Sequence, residues 1–183
     1  ITQNIEEAKE LLKELGYDEN NPFTFEVVTN TGNDTRINTA QILQYQLEKV
    51  GVKMTIRVME WQAFLNTVVH PKKFDAVILG WSLGLMPDAY PLWHSSSDKL
   101  GGFNLVSYKN EKVDKLIEDG INTINREELG KIYKEIFKII SDDLPYLFLY
   151  IPDGITVVNK EIKNVEPSFI GIMHNQKDWE LEQ

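Results

Sequence analysis

Residues 80–84 form the local motif of this sequence that comes nearest to known catalytic chemistry. The string GWSLG matches the G-x-S-x-G pattern of a nucleophile elbow, follows a predicted strand, and places Ser82 ahead of His174 with aspartates between them. This order would permit a serine hydrolase. However, the elbow must turn straight into a helix, and Pro87 and Pro91 lie within the turns that such a helix needs. No HGGG-type segment offers a second oxyanion donor, so a serine esterase is kept only as the alternative hypothesis.

The residues that most often bind metal ions do not occur at metal-site spacing. Cysteine is absent, and His70, His94 and His174 form neither an H-x-x-x-H nor an H-E-x-x-H pattern. His94 and Asp98 could share a cation, but one histidine is a weak basis for a metal site. No glycine-rich phosphate cradle follows any predicted strand. We therefore expect no metal and no cofactor.

Aromatic side chains are better candidates for a functional surface. Trp61 and Trp81 each follow a predicted strand, while Tyr90 and Trp93 lie in an irregular segment. Open α/β sheets bind ligands at the carboxyl ends of their parallel strands, and aromatic faces there can stack on flat or apolar groups. The position of Trp61 and Trp81 thus favours binding over catalysis. Trp93 could equally well complete the core.

The composition limits the class of protein and of partner. The 183 residues include 19 Lys and Arg against 28 Asp and Glu, which gives a net charge of −9. Such an acidic chain lacks the clustered cations that follow a phosphate backbone, so we expect no nucleic acid partner. Hydrophobic residues make up 42% and charged residues 26%, as in ordinary globular domains. Because the first residue is Ile1 and no signal-peptide pattern follows, we expect an internal or processed piece of a longer product.

Alternating helices and strands must position the aromatic residues. The first 80 residues read as helix, strand, helix, strand, helix, strand. This order predicts right-handed crossovers in a mainly parallel sheet flanked by helices. The expected elements are a helix from Ile5, a strand at Phe23–Val27, a helix capped by Asp34, a strand at Met54–Val58, a helix at Gln62–Val69 and a strand at Asp75–Leu79.

The second half of the chain is less regular. Residues 82–108 predict a long loop with one short helix after Pro87. Asn110 begins a helix that Gly120 closes, and Asn125 caps a longer helix that ends before Pro145. Two extended segments follow, at Tyr146–Ile151 and Ile155–Val158. We expect one α/β domain over residues 1–183.

Several strings of the sequence are also familiar in their order and spacing. They are IEEAKELLKELGY at Ile5–Tyr17, the helix Ile42–Val50 with GVK after it, MEWQAF at Met59–Phe64, FDAVILGW at Phe74–Trp81, Pro87-Asp88, YKN at Tyr108–Asn110 with Val113-Asp114, and Asp143-Leu-Pro145. Together they cover most of Ile5–Val158. In these strings the chain resembles the family 5 extracellular solute-binding proteins, the dipeptide- and oligopeptide-binding components of ABC importers.

The resemblance implies both a fold and a role. The fold would be a periplasmic-binding-protein-like type II lobe, and the chain would form most of the C-terminal lobe of a two-lobed protein that closes on its ligand. The role would be capture of a small-molecule ligand, an oligopeptide or an oligosaccharide, without turnover. The implied partners are an ABC permease in the membrane and the remaining lobe, and the implied location is extracytoplasmic, in the periplasm or at the cell surface.

The resemblance also suggests which residues contact the ligand. Trp61 and Trp81 match positions that line the family's cleft, and residues 80–84 would be a ligand-facing turn rather than an elbow. The expected ligand-binding residues are Trp61, Trp81, Ser82, Gly84, Asn30, Asn33, Asp88 and Tyr90.

Two departures from the family pattern bear on the ligand. Peptide binders of the family carry an aspartate for the peptide amine three residues after the cleft tryptophan, where this chain has Gly84. Oligopeptide binders carry an arginine three residues before that tryptophan, where this chain has Ile78. A buried ammonium without a partner is costly, so the pocket is expected to be more neutral than a peptide site. Neutral sugar, peptide and nickel chelate remain open as ligands.

Overall fold

The centre of the structure is a parallel sheet, as predicted. The computed structural model describes residues 3–82, 84, 88–168 and 170–182. Within these residues the strands β1 (Thr24–Asn30), β2 (Lys53–Met59) and β3 (Ala76–Val77) lie in the order β2-β1-β3. β1 pairs with β2 along its whole length and with β3 over two residues, and both pairings are parallel. The carboxyl ends of the strands therefore meet at one edge.

Helices cover both faces of this sheet. Helix α1 (Ile5–Glu14) precedes β1, α2 (Asp34–Glu48) connects β1 to β2, and α3 (Trp61–Phe64) continues into a π-helical turn at Leu65–Val69. Successive residues of β1 point to opposite faces. Val27 packs with Ala40 of α2 on one face, whereas Val28 packs with Phe64 on the other. Because the second half of β1 is buried on both faces, its register with the neighbouring strands is strongly fixed.

The turn between β1 and α2 differs in one detail from the prediction. Asn33, rather than Asp34, is the N-cap of α2: its side-chain oxygen accepts the backbone N–H of Arg36 at 3.0 Å. Asp34 is the first helical residue, where its negative charge suits the helix dipole. Gly32 has φ of +78°, the left-handed backbone that a glycine adopts without strain.

A second, helical layer forms the rest of the core. It contains α4 (Tyr90–Trp93), α5 (Glu111–Ile121) and α6 (Arg126–Asp143). Trp93 is only 4% exposed and lies in one cluster with Ile117 and Ile136, so it completes the core. Gly120 lies inside α5, where an added Cβ would meet side chains of α6 at 3.6 Å, so it packs the two helices together instead of ending the first. None of the helices described here has the length and apolarity needed to cross a bilayer.

The end of the chain departs most from the prediction. The segments Tyr146–Ile151 and Ile155–Val158 are extended in sequence pattern, yet no strand forms there among the described residues. Their apolar side chains are largely exposed, with Ile151 at 94% and Val157 at 92%. A short antiparallel pair that was not predicted, β4 (Ile162–Lys163) with β5 (Glu180–Leu181), follows them.

A network of polar side chains connects residues 94–109 to the turn that follows the π-helical segment. Asp98 accepts hydrogen bonds from Lys72 and from Ser107, the latter at 2.8 Å, and pairs with Lys109 at 3.2 Å. Asn104 is fully buried and bonds to the carbonyl of His94 and to both backbone groups of Tyr108. We call Lys72, Asp98, Asn104, Ser107 and Lys109 the polar clasp.

The last turn of α6 is hydrogen-bonded to the two residues on either side of Lys109 of this network. The Asp143 carboxylate accepts hydrogen bonds from the hydroxyl of Tyr108 at 2.6 Å and from the side-chain amide of Asn110 at 3.0 Å. Burial, followed by this contact with Asp143, raises the pKa of Tyr108. Both bonds connect the irregular segment to the last turn of α6.

Candidate ligand-binding site

The carboxyl ends of β1 and β2 are joined where the aromatic residues begin. Asn30, the last residue of β1, faces Met59, the last residue of β2, and the backbone N–H of Thr31 donates to the carbonyl of Met59 at 2.8 Å. Trp61 follows two residues later as the first residue of α3. The sheet therefore places Asn30 and Trp61 at the same edge.

Arg36 occupies the middle of this edge, and sequence reasoning missed it. Its Nη1 donates to Oδ1 of Asn30 at 2.8 Å, and its guanidinium carbon lies 5.9 Å from the ring centroid of Trp61. A Cβ on Gly80 would lie 3.4 Å from Nη2, so the glycine lets the guanidinium approach the backbone after β3. We call Asn30, Arg36, Trp61 and Gly80 the Arg36 edge.

A spacing signal could have found this residue. Arg36 lies in the first turn of α2, directly after the strand that ends at Asn30. Residues that follow a parallel strand and begin the next helix lie at the ligand edge of an α/β sheet. Sequence reasoning attended to the aromatic residues at this edge and overlooked the cation.

The two asparagines predicted as ligand contacts are largely engaged inside the protein. Asn30 is 8% exposed, and its amide nitrogen donates to the carbonyl of Thr31 at 2.8 Å while its oxygen accepts from Arg36. Asn33 uses its oxygen to cap α2. Asn30 therefore orients Arg36, and Asn33 fixes the start of the helix that carries Arg36.

Trp61 stands on a well-defined helix start. Glu60 accepts the backbone N–H of Ala63 at 2.9 Å. Backbone N–H groups of Gln62 and Ala63 hold the pKa of Glu60 below its usual value. The Trp61 ring contacts Phe64 at 6.2 Å between centroids and remains 38% exposed. One face of the indole is thus anchored while a large part of its surface is free for a ligand.

Trp81 has the same combination of support and exposure. Its ring meets Phe103 edge to face at 5.6 Å and is 38% exposed. Nearby, the Tyr146 hydroxyl is buried and has no hydrogen-bond partner of good geometry among the described residues. Burial raises the pKa of Tyr146, and the neighbouring Trp81 indole opposes this shift to a smaller extent.

The turn after Trp81 is open. Ser82 and Gly84 are both exposed, and a Cβ on Gly84 would meet no atom within 4 Å. In the described structure, Ser82 forms no hydrogen bond with a histidine or a carboxylate, and the next helix begins only at Tyr90. Leu83, within the motif at residues 80–84, and residues 85–87 after that motif lie outside the described residues. What is described of this segment is exposed and shows no catalytic arrangement around Ser82.

Asp88 and Tyr90 are engaged elsewhere. Asp88 accepts the backbone N–H of Tyr90 at 3.0 Å. The Tyr90 ring stacks on His94 at 4.2 Å and its hydroxyl bonds to Ser96 at 2.8 Å. These contacts hold the start of the helical layer together, and among the described residues neither Asp88 nor Tyr90 forms a hydrogen bond or ring contact with the Arg36 edge. No group of metal-binding side chains is present in the described parts of the chain.

Comparison with known proteins decides the family. The model described as bacterial extracellular solute-binding proteins, family 5 Middle, matches residues 2–103, more than half of the chain. The chain belongs to this family. Its description as extracellular agrees with the location that the resemblance implied.

Individual relatives extend the similarity beyond residue 103. The oligopeptide-binding protein AppA of Bacillus subtilis is 33% identical over 97% of this chain and 35% of its own length. The nickel-binding protein NikA of Staphylococcus aureus is 30% identical over 93% of this chain and 34% of its own length. The chain therefore spans about a third of the length of these curated relatives.

A solved structure confirms the fold. That of Bacillus subtilis AppA in complex with a nonapeptide matches 98% of this chain and 38% of its own with a TM-score of 0.84, at 33% identity. These relatives give no support to an oligosaccharide ligand or to a serine hydrolase, the two hypotheses that the sequence had left open beside peptide and nickel chelate.

Proposed function

We propose that this chain is the ligand-binding C-terminal lobe of an ABC-importer solute-binding protein that captures oligopeptides outside the cytoplasmic membrane. The observation that carries the proposal is the exposed pair Trp61 and Trp81 at the carboxyl edge of a family 5 sheet. The captured peptide passes to a membrane permease, and the lobe performs no chemistry on it.

The openness of the edge favours binding between two lobes. Trp61 and Trp81 are each supported on one side by a phenylalanine and 38% exposed on the other. Closure of a second lobe over such a surface would bury apolar area and trap the ligand between the lobes. Trp61, Trp81 and the turn with Ser82 and Gly84 form this lobe's share of the cleft.

The exposed apolar residues near the end of the chain support a larger functional unit. Residues 146–158 present Leu147, Ile151, Ile155 and Val157 to solvent, at 68% to 94% exposure. Exposed apolar side chains concentrated in one segment favour contact with another protein surface. We assign these side chains to contact with the remainder of a protein about three times the length of this chain, as the relatives indicate.

Oligopeptide is the ligand class with the best support. The curated relative with 33% identity is named for oligopeptides, and the matching structure holds a nonapeptide. The glycine at position 84 still argues that this lobe does not bind a peptide amine through an aspartate at that position. The peptide amine would then contact the other lobe or remain hydrated.

A thermal-shift screen of the full-length protein containing this chain tests the proposal. Oligopeptides of three to nine residues and neutral oligosaccharides form the two arms. A ligand at a hundred times its Kd stabilises the native state by about 2.7 kcal/mol, so peptide hits should be plain. The proposal would be refuted if only sugars stabilised the protein, or if none of the peptides did. Turnover of an ester that Ser82→Ala abolishes would restore the hydrolase hypothesis.

A further inference from the structure

We infer that Arg36 binds a carboxylate of the ligand, an inference that rests on the oligopeptide-binding function proposed above. Arg36 lies at the centre of the Arg36 edge, between the end of β1 and the ring of Trp61. A peptide offers a carboxylate at its C-terminus and at acidic side chains, and both fit the geometry of a guanidinium.

The first argument is that Arg36 has spare donors. A guanidinium carries five N–H groups in a planar fork. Nη1 donates to the neutral oxygen of Asn30 at 2.8 Å, and no other hydrogen bond from the Arg36 side chain occurs among the described residues. The fork therefore remains available for a bidentate contact, while Asn30 and the Trp61 ring hold it in place.

The second argument is that Arg36 has no counter-ion. Within the described part of the chain, no carboxylate forms an ion pair with it. The carboxylate of Glu60, which precedes Trp61 in the chain, accepts backbone N–H groups of α3. Between Trp81 and Asp88 the sequence contains no acidic residue.

Arg57 shows what a structural arginine looks like in the same sheet. It lies on β2 and meets one oxygen of Glu26 through Nε at 2.9 Å and through Nη2 at 2.8 Å. Its charge is therefore compensated within the protein. Arg36, in the first turn of helix α2, has no such partner among the described residues, which makes Arg57 the matched control.

Closure of the cleft would make the unpaired charge of Arg36 affect the free energy of binding. Arg36 is only partly exposed, so the water that now solvates it is limited. A second lobe and a ligand would remove more of that water, and a desolvated cation without an anion is strongly unfavourable. A ligand carboxylate would restore the balance, so binding should select for an anionic group at this position.

Calorimetric titration of the full-length protein tests this inference with paired peptides. Each peptide is compared as its C-terminal acid and its C-terminal amide, and as a Glu and a Gln variant at one side chain. The wild type should bind one acidic member of these pairs at least about tenfold more tightly than its neutral partner, as charge-assisted hydrogen bonds require. The acid–amide and Glu–Gln arms distinguish the two sources of the carboxylate.

Variants of the two arginines complete the design. Arg36→Met should abolish the discrimination, Arg36→Lys should keep part of it, and Arg57→Met should leave it unchanged. Equal affinity of acid and neutral peptides for the wild type, or discrimination that survives Arg36→Met, would overturn the inference while the proposed function stands. Binding of no peptide at all would refute both.

Discussion

The polar clasp and the Arg36 edge both contain buried or half-buried polar side chains, but they differ in how completely those groups are paired. In the clasp, the Asp98 carboxylate meets two lysines and a serine, and Asn104 makes three hydrogen bonds to backbone. At the edge, the Arg36 guanidinium meets one amide oxygen and lies over the ring of Trp61.

The difference separates structure from function. A buried polar group that is fully paired within its own chain contributes to the stability and uniqueness of the fold. A charged group with spare donors at the carboxyl edge of a parallel sheet has no such role and is free to meet a ligand. Substitutions in the clasp should therefore alter stability, whereas substitutions at the edge should alter binding.

The strongest test of the clasp is Asn104→Ala. The substitution leaves the backbone groups of His94 and Tyr108 without partners in a fully buried site. We expect a loss of about 3 kcal/mol in the free energy of unfolding, since each unpaired buried group costs about 1–3 kcal/mol. Urea unfolding followed by circular dichroism measures it. A loss below about 1 kcal/mol would contradict a structural role for this network.

Asp98→Asn should have a smaller, pH-dependent effect. The hydrogen bonds from Lys72 and Ser107 lower the pKa of Asp98 from 3.8 to about 2. Because the folded-state pKa is the lower one, the stabilisation is complete above pH 4 and is lost as the pH falls toward 2. We expect the variant to be less stable by about 2 kcal/mol at neutral pH.

The pH series supplies the control for that prediction. Unfolding free energies of wild type and Asp98→Asn, measured between pH 7 and pH 2, should converge at the acidic end. A difference that stays constant over this range would mean that the Asp98 charge is not what stabilises the clasp.

At the edge, Trp61→Ala and Trp81→Ala should weaken peptide binding with little change in fold. Each indole exposes 38% of its surface and offers that surface for stacking. A loss of about 1–2 kcal/mol, or roughly five- to thirtyfold in Kd, is expected for each. Calorimetry of the full-length protein measures the change, with Phe137→Ala as the control, since Phe137 on α6 is a more exposed aromatic at 50%. Equal losses of affinity in all three variants would contradict the assignment of Trp61 and Trp81 as ligand contacts.

The smallest expected effect is that of Arg36→Met on stability. The side chain makes one hydrogen bond to a neutral amide and is partly exposed, so less than about 1 kcal/mol should be lost. Thermal unfolding in the absence of ligand checks this. A loss of stability as large as that of Asn104→Ala would show that Arg36 has a structural role, and the proposed difference between the Arg36 edge and the polar clasp would be wrong.

The sheet and the helices around it were predictable because each obeys a local rule. Alternation in β1, helical spacing in α2 and the asparagine caps of α5 and α6 all depend on neighbouring residues. Asp34 was mistaken for a cap because aspartate and asparagine are equally good caps, and only the backbone decides between neighbours. Gly120 was mistaken for a helix end because its contact with α6 is a tertiary one.

The rest depended on contacts that the sequence does not display. Residues 146–151 have a strand-like pattern but form no backbone pairing with another described strand. A strand needs a pairing partner as well as β-propensity, and the sequence does not show whether that partner is present. Arg36 became visible as a site residue only once the chain placed it beside Asn30 and Trp61. Asp88 and Tyr90 looked like free polar groups until the structure paired them with their neighbours.

Hydrogen–deuterium exchange of the full-length protein, with and without a saturating oligopeptide, tests the central claim most directly. Residues 30–37, 60–65 and 78–82 should gain protection, because the ligand and the closing lobe cover the Arg36 edge and the turn after it. Residues 94–109 of the clasp should keep the same protection in both states. Unchanged exchange at the edge, or new protection confined to the clasp, would contradict the assignment of this edge as the ligand-binding surface.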